Sequence, residues 1–227
     1  MAGKLYIVAT PIGNLGDITL RAIETLKASD LIAAEDTRQT KVLLERYGIK
    51  TPSTSYHKFN VKEKTKHIIG QLQAGKTISL VSDAGMPGIS DPGEELVKEA
   101  IENKIEVIPI PGASAAITAL SVSGLSTKRF VFEGFLPREG KNRRRVLREL
   151  VGEERTIVFY ESPHRLIKSL NDMLAVLGDR KICVAREMTK KFEEVFRGTI
   201  KEAIEHFSAK EVLGEITVII EALKTTK

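Results

Sequence analysis

TISLVSDAGMPGISDPG, residues 77–93, is the stretch on which the fold turns. Thr77 to Ser82 is a short β-branched and apolar run, the pattern of a strand buried on both faces. It stops at Ser82-Asp83, and a loop with Gly85, Pro87, Gly88 and Pro92 follows before a helix, GEELVKEAIENK, begins near Gly93. Leu96, Val97, Ala100 and Ile101 are spaced to share one side of that helix. A buried strand running into a rigid loop is where an open α/β sheet binds its ligand, outside the strand's carboxyl end. The eleven residues from Ser82 to Pro92 exceed the roughly 2–6 typical of strand-to-helix connections, so the loop reads as a site rather than a plain turn. The glycines admit close backbone approach to a ligand, and the prolines limit how far the loop moves.

Outward from this unit, strands alternate with helices. Leu5–Ala9 reads as a first strand ending in TPIGNLGD, and Asp17 is placed to cap a helix over Ile18–Ala28. Asp30–Ala34 is a second strand, closed by Glu35, Asp36, Thr37 and Arg38. A helix through Val42, Leu43, Leu44 and Tyr47 ends at Gly48. A short strand at Ser53–Tyr56, a helix over Lys62–Ala74 and a strand at Glu106–Ile110 frame the central stretch. Pro111-Gly112 then leads to a small-residue helix that Ser114 can cap. This alternation predicts a mainly parallel sheet covered on both faces.

After Gly124 the texture changes. Phe130–Phe135 is an aromatic strand, followed by the loop LPREGKN, in which Gly140 gives freedom to close over a substrate, and the basic helix NRRRVLRELVG. Thr156–Tyr160 is a strand, and Ser162-Pro163 opens a helix striped by Leu166, Ile167, Leu170, Met173, Leu174 and Leu177. Ile182–Ala185, Glu194–Arg197 and Ile216–Ile220 are further strands, and Thr199 with Glu202 forms a capping box. The expectation is two α/β domains, 1–124 and 125–227, the first with a mainly parallel sheet and the second with a mixed one.

Length and composition bound the function classes. A chain of 227 residues with 42% hydrophobic and 29% charged residues is ordinary for a globular protein. No apolar run approaches the roughly 20 residues that span a bilayer, and the N-terminus has no signal-peptide pattern. A cytoplasmic location, with neither membrane nor DNA as partner, is the expectation. The single cysteine, Cys183, excludes an internal disulfide and a cysteine-rich zinc site, and no metal is expected; its apolar setting, ICVA, reads as core. The net charge of +5 lies wholly in the second half, because residues 1–124 hold 14 basic and 14 acidic residues. A basic half points toward a polyanion.

Four strand ends carry unusual loops: TPIG, SDAGMPG, PGASA and YESPHR. None has the dinucleotide fingerprint or a P-loop, which argues against a nicotinamide enzyme or an NTPase. At these residues the sequence closely resembles the tetrapyrrole methylase superfamily of S-adenosylmethionine-dependent enzymes. Within it, the chain is similar to the ribosomal RNA small subunit methyltransferase I family, which methylates the ribose 2′-oxygen of a cytidine in the decoding region. The matching stretches are ATPIGNLGDIT, AAEDTRQT, LVSDAGMPGISDPG, PGASA, FEGFLPR, FYESPHR, AREMTKKFEE and the GE at 214–215, in order along nearly the whole chain. Precorrin methylases share the fold but carry Gly-Asp-Pro where this chain has Ser82-Asp83-Ala84.

The resemblance implies S-adenosylmethionine in a cleft between the two domains, a homodimer, and small-subunit ribosomal RNA as partner. It implies as cofactor neighbours Ile12, Asp83, Met86, Ser114 and Ala115, then Phe159, Tyr160, Ala185, Arg186 and Glu215; for Met86, Phe159 and Tyr160, core packing is the competing reading. Members of that family often continue into a basic helical segment, whereas this sequence stops at Lys227, which leaves RNA docking to the second domain or a partner chain, or marks a short form.

Methyl transfer to a ribose hydroxyl needs alignment and a base or a cation at the developing alkoxide. Glu35, Asp36, His57 and Glu187 are candidate bases, with Arg38, Lys58 and Arg186 as cationic helpers, and no spacing selects among them. Arg143, Arg144, Arg145 and Arg148, extended by Arg138 and Lys141, are the candidate phosphate contacts; a solvated helix face is the alternative. Two other functions stay open: a small-molecule methylase of the precorrin kind, and a cofactor-binding protein without turnover.

Overall fold

The computed structural model describes residues 2–223. The chain divides into two compact units, the first ending at Ser114 and the second starting at Ala115.

In the first unit the central strand, β4 (Ile78–Val81), is buried along its whole length. It lies third in a five-stranded sheet ordered β3-β2-β4-β1-β5, with β1 at Lys4–Val8, β2 at Leu31–Ala34, β3 at Ser53–Ser55 and β5 at Glu106–Ile110. Every pairing is parallel, as expected of a sheet enclosed by helices. Helices α1 (Leu20–Ala28) and α2 (Thr37–Arg46) bury Leu26, Leu43 and Leu44 with Val8, Ile32 and Val81. Helices α3 (Val61–Gln73) and α4 (Glu94–Glu102) bury Ile68, Leu72, Leu96 and Ala100 with Leu5, Ile78 and Leu80. The two sets of strand residues alternate, so the helix pairs cover opposite faces. The link after β1 runs through α1 and that after β4 through α4, which makes the β1–β4 junction the point where connections diverge.

The second unit opens with α5 (Ala115–Val122), which packs on β7 (Thr156–Glu161) and β10 (Ile216–Ile220). Its grouping there puts the division ten residues before the expected junction at 124/125. The sheet order is β6-β7-β10-β8-β9, with β6 at Phe130–Phe135, β8 at Lys181–Arg186 and β9 at Glu194–Thr199. Only β6 and β7 pair in parallel; the other pairings are antiparallel, so this sheet is mixed. Helices α6 (Gly140–Glu149), α7 (Leu166–Leu177) and α8 (Ile200–Ser208) bury Leu147, Leu170, Met173 and Phe207 against Ile157, Phe159, Val184 and Val218.

Several local expectations change. The cap of α1 is Thr19, whose side chain accepts from Ala22 N; Asp17 sits in the preceding 3-10 turn. Ile101 is exposed, because a helix turning about 100° per residue carries it beyond the stripe of Leu96 and Ala100. Gly140 is the first residue of α6, not part of a mobile loop. The capping box of Thr199 and Glu202 is present, and Cys183 is buried, with burial pushing its thiol up. Among the described residues, no helix is long and apolar enough to cross a membrane.

Candidate functional site

Parallel register aligns Ala34, Val81, Val8 and Ile110 at one edge of the first sheet. The loops that follow these strands therefore leave from the same edge. At the β1–β4 junction Thr10 and Gly85 exchange both backbone hydrogen bonds, Thr10 N donating to Gly85 O at 2.9 Å and Gly85 N to Thr10 O at 3.1 Å. Thr10 Oγ1 also donates to Ser82 O at 3.1 Å, which fixes the start of the long loop. Gly85 has φ +80°, and a Cβ placed on it would lie 3.5 Å from Ile12 Cγ2 and 3.6 Å from Ala113 O. Three of the motifs noted in the sequence, TPIG, SDAG and PGAS, thus converge within van der Waals distance of one point. Glycine is required there by its positive φ.

Beside this point is a group of carboxylates. Asp83 Oδ1 accepts from Asp36 N at 3.0 Å, and Glu35 Oε2 lies 3.5 Å from Asp83 N. Burial, followed by the charge of Asp83, holds the Glu35 carboxyl above its ordinary range, and Lys58 opposes the rise. Asp36 behaves in the opposite sense: its hydrogen bonds from the Arg38 side chain and backbone lower it to about 2. It is the N-cap of α2, and Arg38 Nη2 is 2.6 Å from it. The capping alternative is therefore realised for Asp36, and Arg38 is its exposed partner. His57 is half-buried; its Nε2 is 3.4 Å from Asn60 Nδ2, and its Nδ1 is buried without a hydrogen-bond partner. Met86 is partly buried against the α3–α4 core, and Ser114 is half-buried as the last residue of this unit.

In the second unit the expected residues also gather at one sheet end. Thr217 pairs with both Tyr160 and Ala185, and Ile216 with both Glu161 and Arg186. The side chain of Phe159 is fully buried among Leu166, Leu170 and Val184, so the core reading holds for that side chain. Tyr160 points to the other face, packing on Phe132 and Phe135, and its Oη accepts from Ala116 N at 3.3 Å. Ala115, half-buried, begins the helix on that face. Arg186 bonds Glu194 and the carbonyl of Leu213.

Glu187 is a structural clamp. Its φ is +51°, it accepts from Glu215 N at 3.0 Å, and Lys190 Nζ is 2.9 Å from both Glu187 and Glu215. Burial works against its charge, but the Lys190 and Glu215 hydrogen bonds win and lower its carboxyl. At Gly214, φ +88°, a Cβ would lie 2.3 Å from the Glu187 side chain, so a substitution there would be strained and would displace the clamp.

The arginine cluster divides. Arg143 is 5% exposed, with Nε 2.7 Å and Nη2 2.5 Å from Asp172 Oδ2, and it also donates to Arg138 O. It is a core contact between α6 and α7 and not a phosphate ligand. Its position four residues before the buried Leu147 turns it inward. Arg138, Lys141, Arg145 and Arg148 are exposed, and so is Arg144, although it bridges to Asp172 at 3.0 Å.

Two features were not singled out from the sequence. Buried Glu161 bonds Arg165 Nη2 at 2.5 Å, Ser162 N at 2.7 Å and Ser169 Oγ, locking the YESPHR corner. Its signal was the i,i+4 spacing of opposite charges. The other is Phe59, in the turn that also carries the candidates His57 and Lys58. No group of three His, Cys, Asp or Glu side chains suited to a metal occurs among the described residues.

Comparison with known proteins places this geometry. The family model of the tetrapyrrole (corrin/porphyrin) methylases matches residues 4–204. A ribosomal RNA small subunit methyltransferase I from Thermotoga maritima is 56% identical over 218 residues, covering 96% of this chain and 98% of that protein. Its counterpart from Halalkalibacterium halodurans is 56% identical over 219 residues, covering 96% of this chain and 76% of that one. Among solved structures, uroporphyrin-III C-methyltransferase from Thermus thermophilus complexed with S-adenyl homocysteine aligns with a TM-score of 0.68 at 18% identity, over 96% of this chain and 97% of that one.

Proposed function

The chain belongs to the tetrapyrrole methylase family and, within it, groups with the small-subunit ribosomal RNA methyltransferases I; on that premise we propose that it transfers a methyl group from S-adenosylmethionine to the ribose 2′-oxygen of a cytidine in small-subunit ribosomal RNA. The observation that carries the reading is 56% identity across 96% of the chain to a protein of that name. The residues present suit the cofactor. Ile12, Gly85 and Ala113 bring apolar and backbone atoms together at the loop junction, and the exposed Asp83 beside them offers a carboxylate for hydroxyl or ammonium groups. From the second unit, Tyr160, Arg186, Glu215 and the backbone at Phe159 and Ala185 are proposed to contribute, together with Ser114, Ala115 and Met86.

When bound, the cofactor supplies an electrophilic methyl on a sulfonium, and the chain must align the hydroxyl and take its proton. Of the candidate bases, Asp36 is neutralised by Arg38 and Glu187 by Lys190, whereas Glu35 is half-buried with its carboxyl raised. A carboxylate whose pKa is shifted toward neutrality is the better proton acceptor, so Glu35 is assigned that role. Arg138, Lys141, Arg144, Arg145 and Arg148 are assigned to phosphates, and the working form is a cytoplasmic homodimer.

The test is incubation with labelled S-adenosylmethionine and small subunits lacking the modification, followed by nucleoside mass spectrometry. Label in 2′-O-methylcytidine is the expected product. Label on a tetrapyrrole with none on RNA would replace the reading by the precorrin one, and cofactor binding without any transfer would leave a binding protein.

A further inference from the structure

The turn after β3 carries a large apolar side chain that nothing in its own unit covers. Phe59 is 84% exposed, the highest value among the exposed large hydrophobic residues of the described chain. It is held by a rigid turn. Asn60 Oδ1 accepts from His57 N at 2.8 Å, Asn60 N donates to His57 O at 2.9 Å, and Asn60 Nδ2 is 3.3 Å from Ser55 O. Tyr56, fully buried, anchors the entry by donating its backbone N–H to Ala34 O at 2.7 Å and by bonding Thr65 through its hydroxyl. The two residues at the tip, Lys58 and Phe59, are therefore displayed on a fixed frame.

A cation flanks the ring. Lys58 Nζ stands 4.9 Å from the centroid of the Phe59 ring, and the His57 ring meets it edge-on at 6.0 Å. Arg38, exposed at the neighbouring strand end because Ser55 pairs with Ala34, is taken up by its pair with Asp36, which leaves Lys58 as the cation at the ring. The turn lies at the same sheet edge as Glu35 and Asp83, and Lys58 acts on the Glu35 carboxyl through its charge. An exposed ring beside an ammonium group fits a ligand that is flat and apolar in one part and anionic in the next. A single-stranded nucleic acid has that composition, because each base offers a π-face and each link a phosphate.

We infer that Phe59 is a stacking site for an unpaired nucleobase flanking the methylated nucleotide, with Lys58 directed at an adjoining phosphate. This rests on the reading of the chain as an RNA methyltransferase. It adds to that reading a residue in the first unit that holds substrate rather than cofactor.

The chain contains no tryptophan, so Phe59→Trp introduces a single indole at the site. Its emission should be quenched by a short unstructured RNA containing cytidine and by small subunits lacking the modification, and not by S-adenosylmethionine alone. Phe59→Ala should raise KM for subunits about tenfold or more, the effect of losing one stacked base, while kcat and cofactor Kd change less than about twofold. Phe59→Tyr should restore KM.

An indole unquenched by RNA, or an unchanged KM in Phe59→Ala, would overturn the assignment. A raised cofactor Kd would instead place the ring in the cofactor site, and a lower sedimentation mass would make it a contact between copies of the chain; either would also overturn it. Wild-type protein that transfers no label to subunits would refute the underlying activity, and the quenching measurement would still decide the stacking site.

Discussion

Replacing Arg143 by methionine separates a core ion pair from a phosphate contact. The guanidinium is 5% exposed and meets Asp172 through Nε at 2.7 Å and Nη2 at 2.5 Å. Removing one partner of a buried pair costs about 3–5 kcal/mol, chiefly because the other charge stays buried. Here Asp172 keeps a second bridge, from Arg144 at 3.0 Å, and its side chain is 13% exposed, which puts the cost at the low end. The lost bond to Arg138 O adds about 1 kcal/mol, and methionine restores part of the packing. The expected loss is about 3 kcal/mol, measured by urea denaturation as a lower midpoint at constant slope. Arg145→Ala and Arg148→Ala, at exposed positions, should stay within about 0.5 kcal/mol. The double change Arg143→Met with Asp172→Leu should recover much of the loss, since an apolar pair can replace a buried ionic one. A loss below about 1 kcal/mol in Arg143→Met, together with weaker RNA binding, would refute the core assignment.

Three further outcomes follow from the site. Asp83→Ala should weaken S-adenosylmethionine binding by about 1–3 kcal/mol, the loss of a charge-assisted hydrogen bond, read by calorimetry; unchanged affinity in a folded variant would remove Asp83 from the site. Because Glu35 has a raised folded-state pKa, its contribution to stability is full below the ordinary carboxyl range and is lost as pH rises through the folded value. Glu35→Gln should therefore be as stable as wild type or more so at pH 7 while kcat falls about 100-fold, and an unchanged kcat would exclude it as the base. At Glu194 burial disfavours the charge, but hydrogen bonds from Lys210, His206 and Arg186 outweigh it and lower the pKa from 4.5 to about 2. Its contribution to stability is present above pH 4.5 and lost as pH falls toward 2, so a pH series in urea should show a shallower acid slope for Glu194→Gln.

What was legible in the sequence was what short spacing encodes. Buried runs such as Ile78–Val81 and Ile216–Ile220 marked strands, Thr199 and Glu202 marked a helix start, and the long loops after strands marked the edge proposed as the site. These signals lie within a few residues of one another, so local conformation alone imposes them. Strand–helix alternation pointed to a mainly parallel first sheet, and the structure shows every pairing in it parallel. Tertiary structure decided which side chains that edge leaves available. Glu35 and Asp36 are adjacent carboxylates, yet Asp36 caps α2 and pairs with Arg38, while Glu35 stands half-buried beside the charge of Asp83, 48 residues away. Arg143 and Arg144 read alike until Asp172, on another helix, draws one into the core and leaves the other exposed. Phe159 and Tyr160 divide because successive strand residues face opposite sides, and only the packed sheet defines which side is core. For Glu35, Arg143 and Phe159 the deciding neighbours are distant in sequence, and the fold alone brings them together.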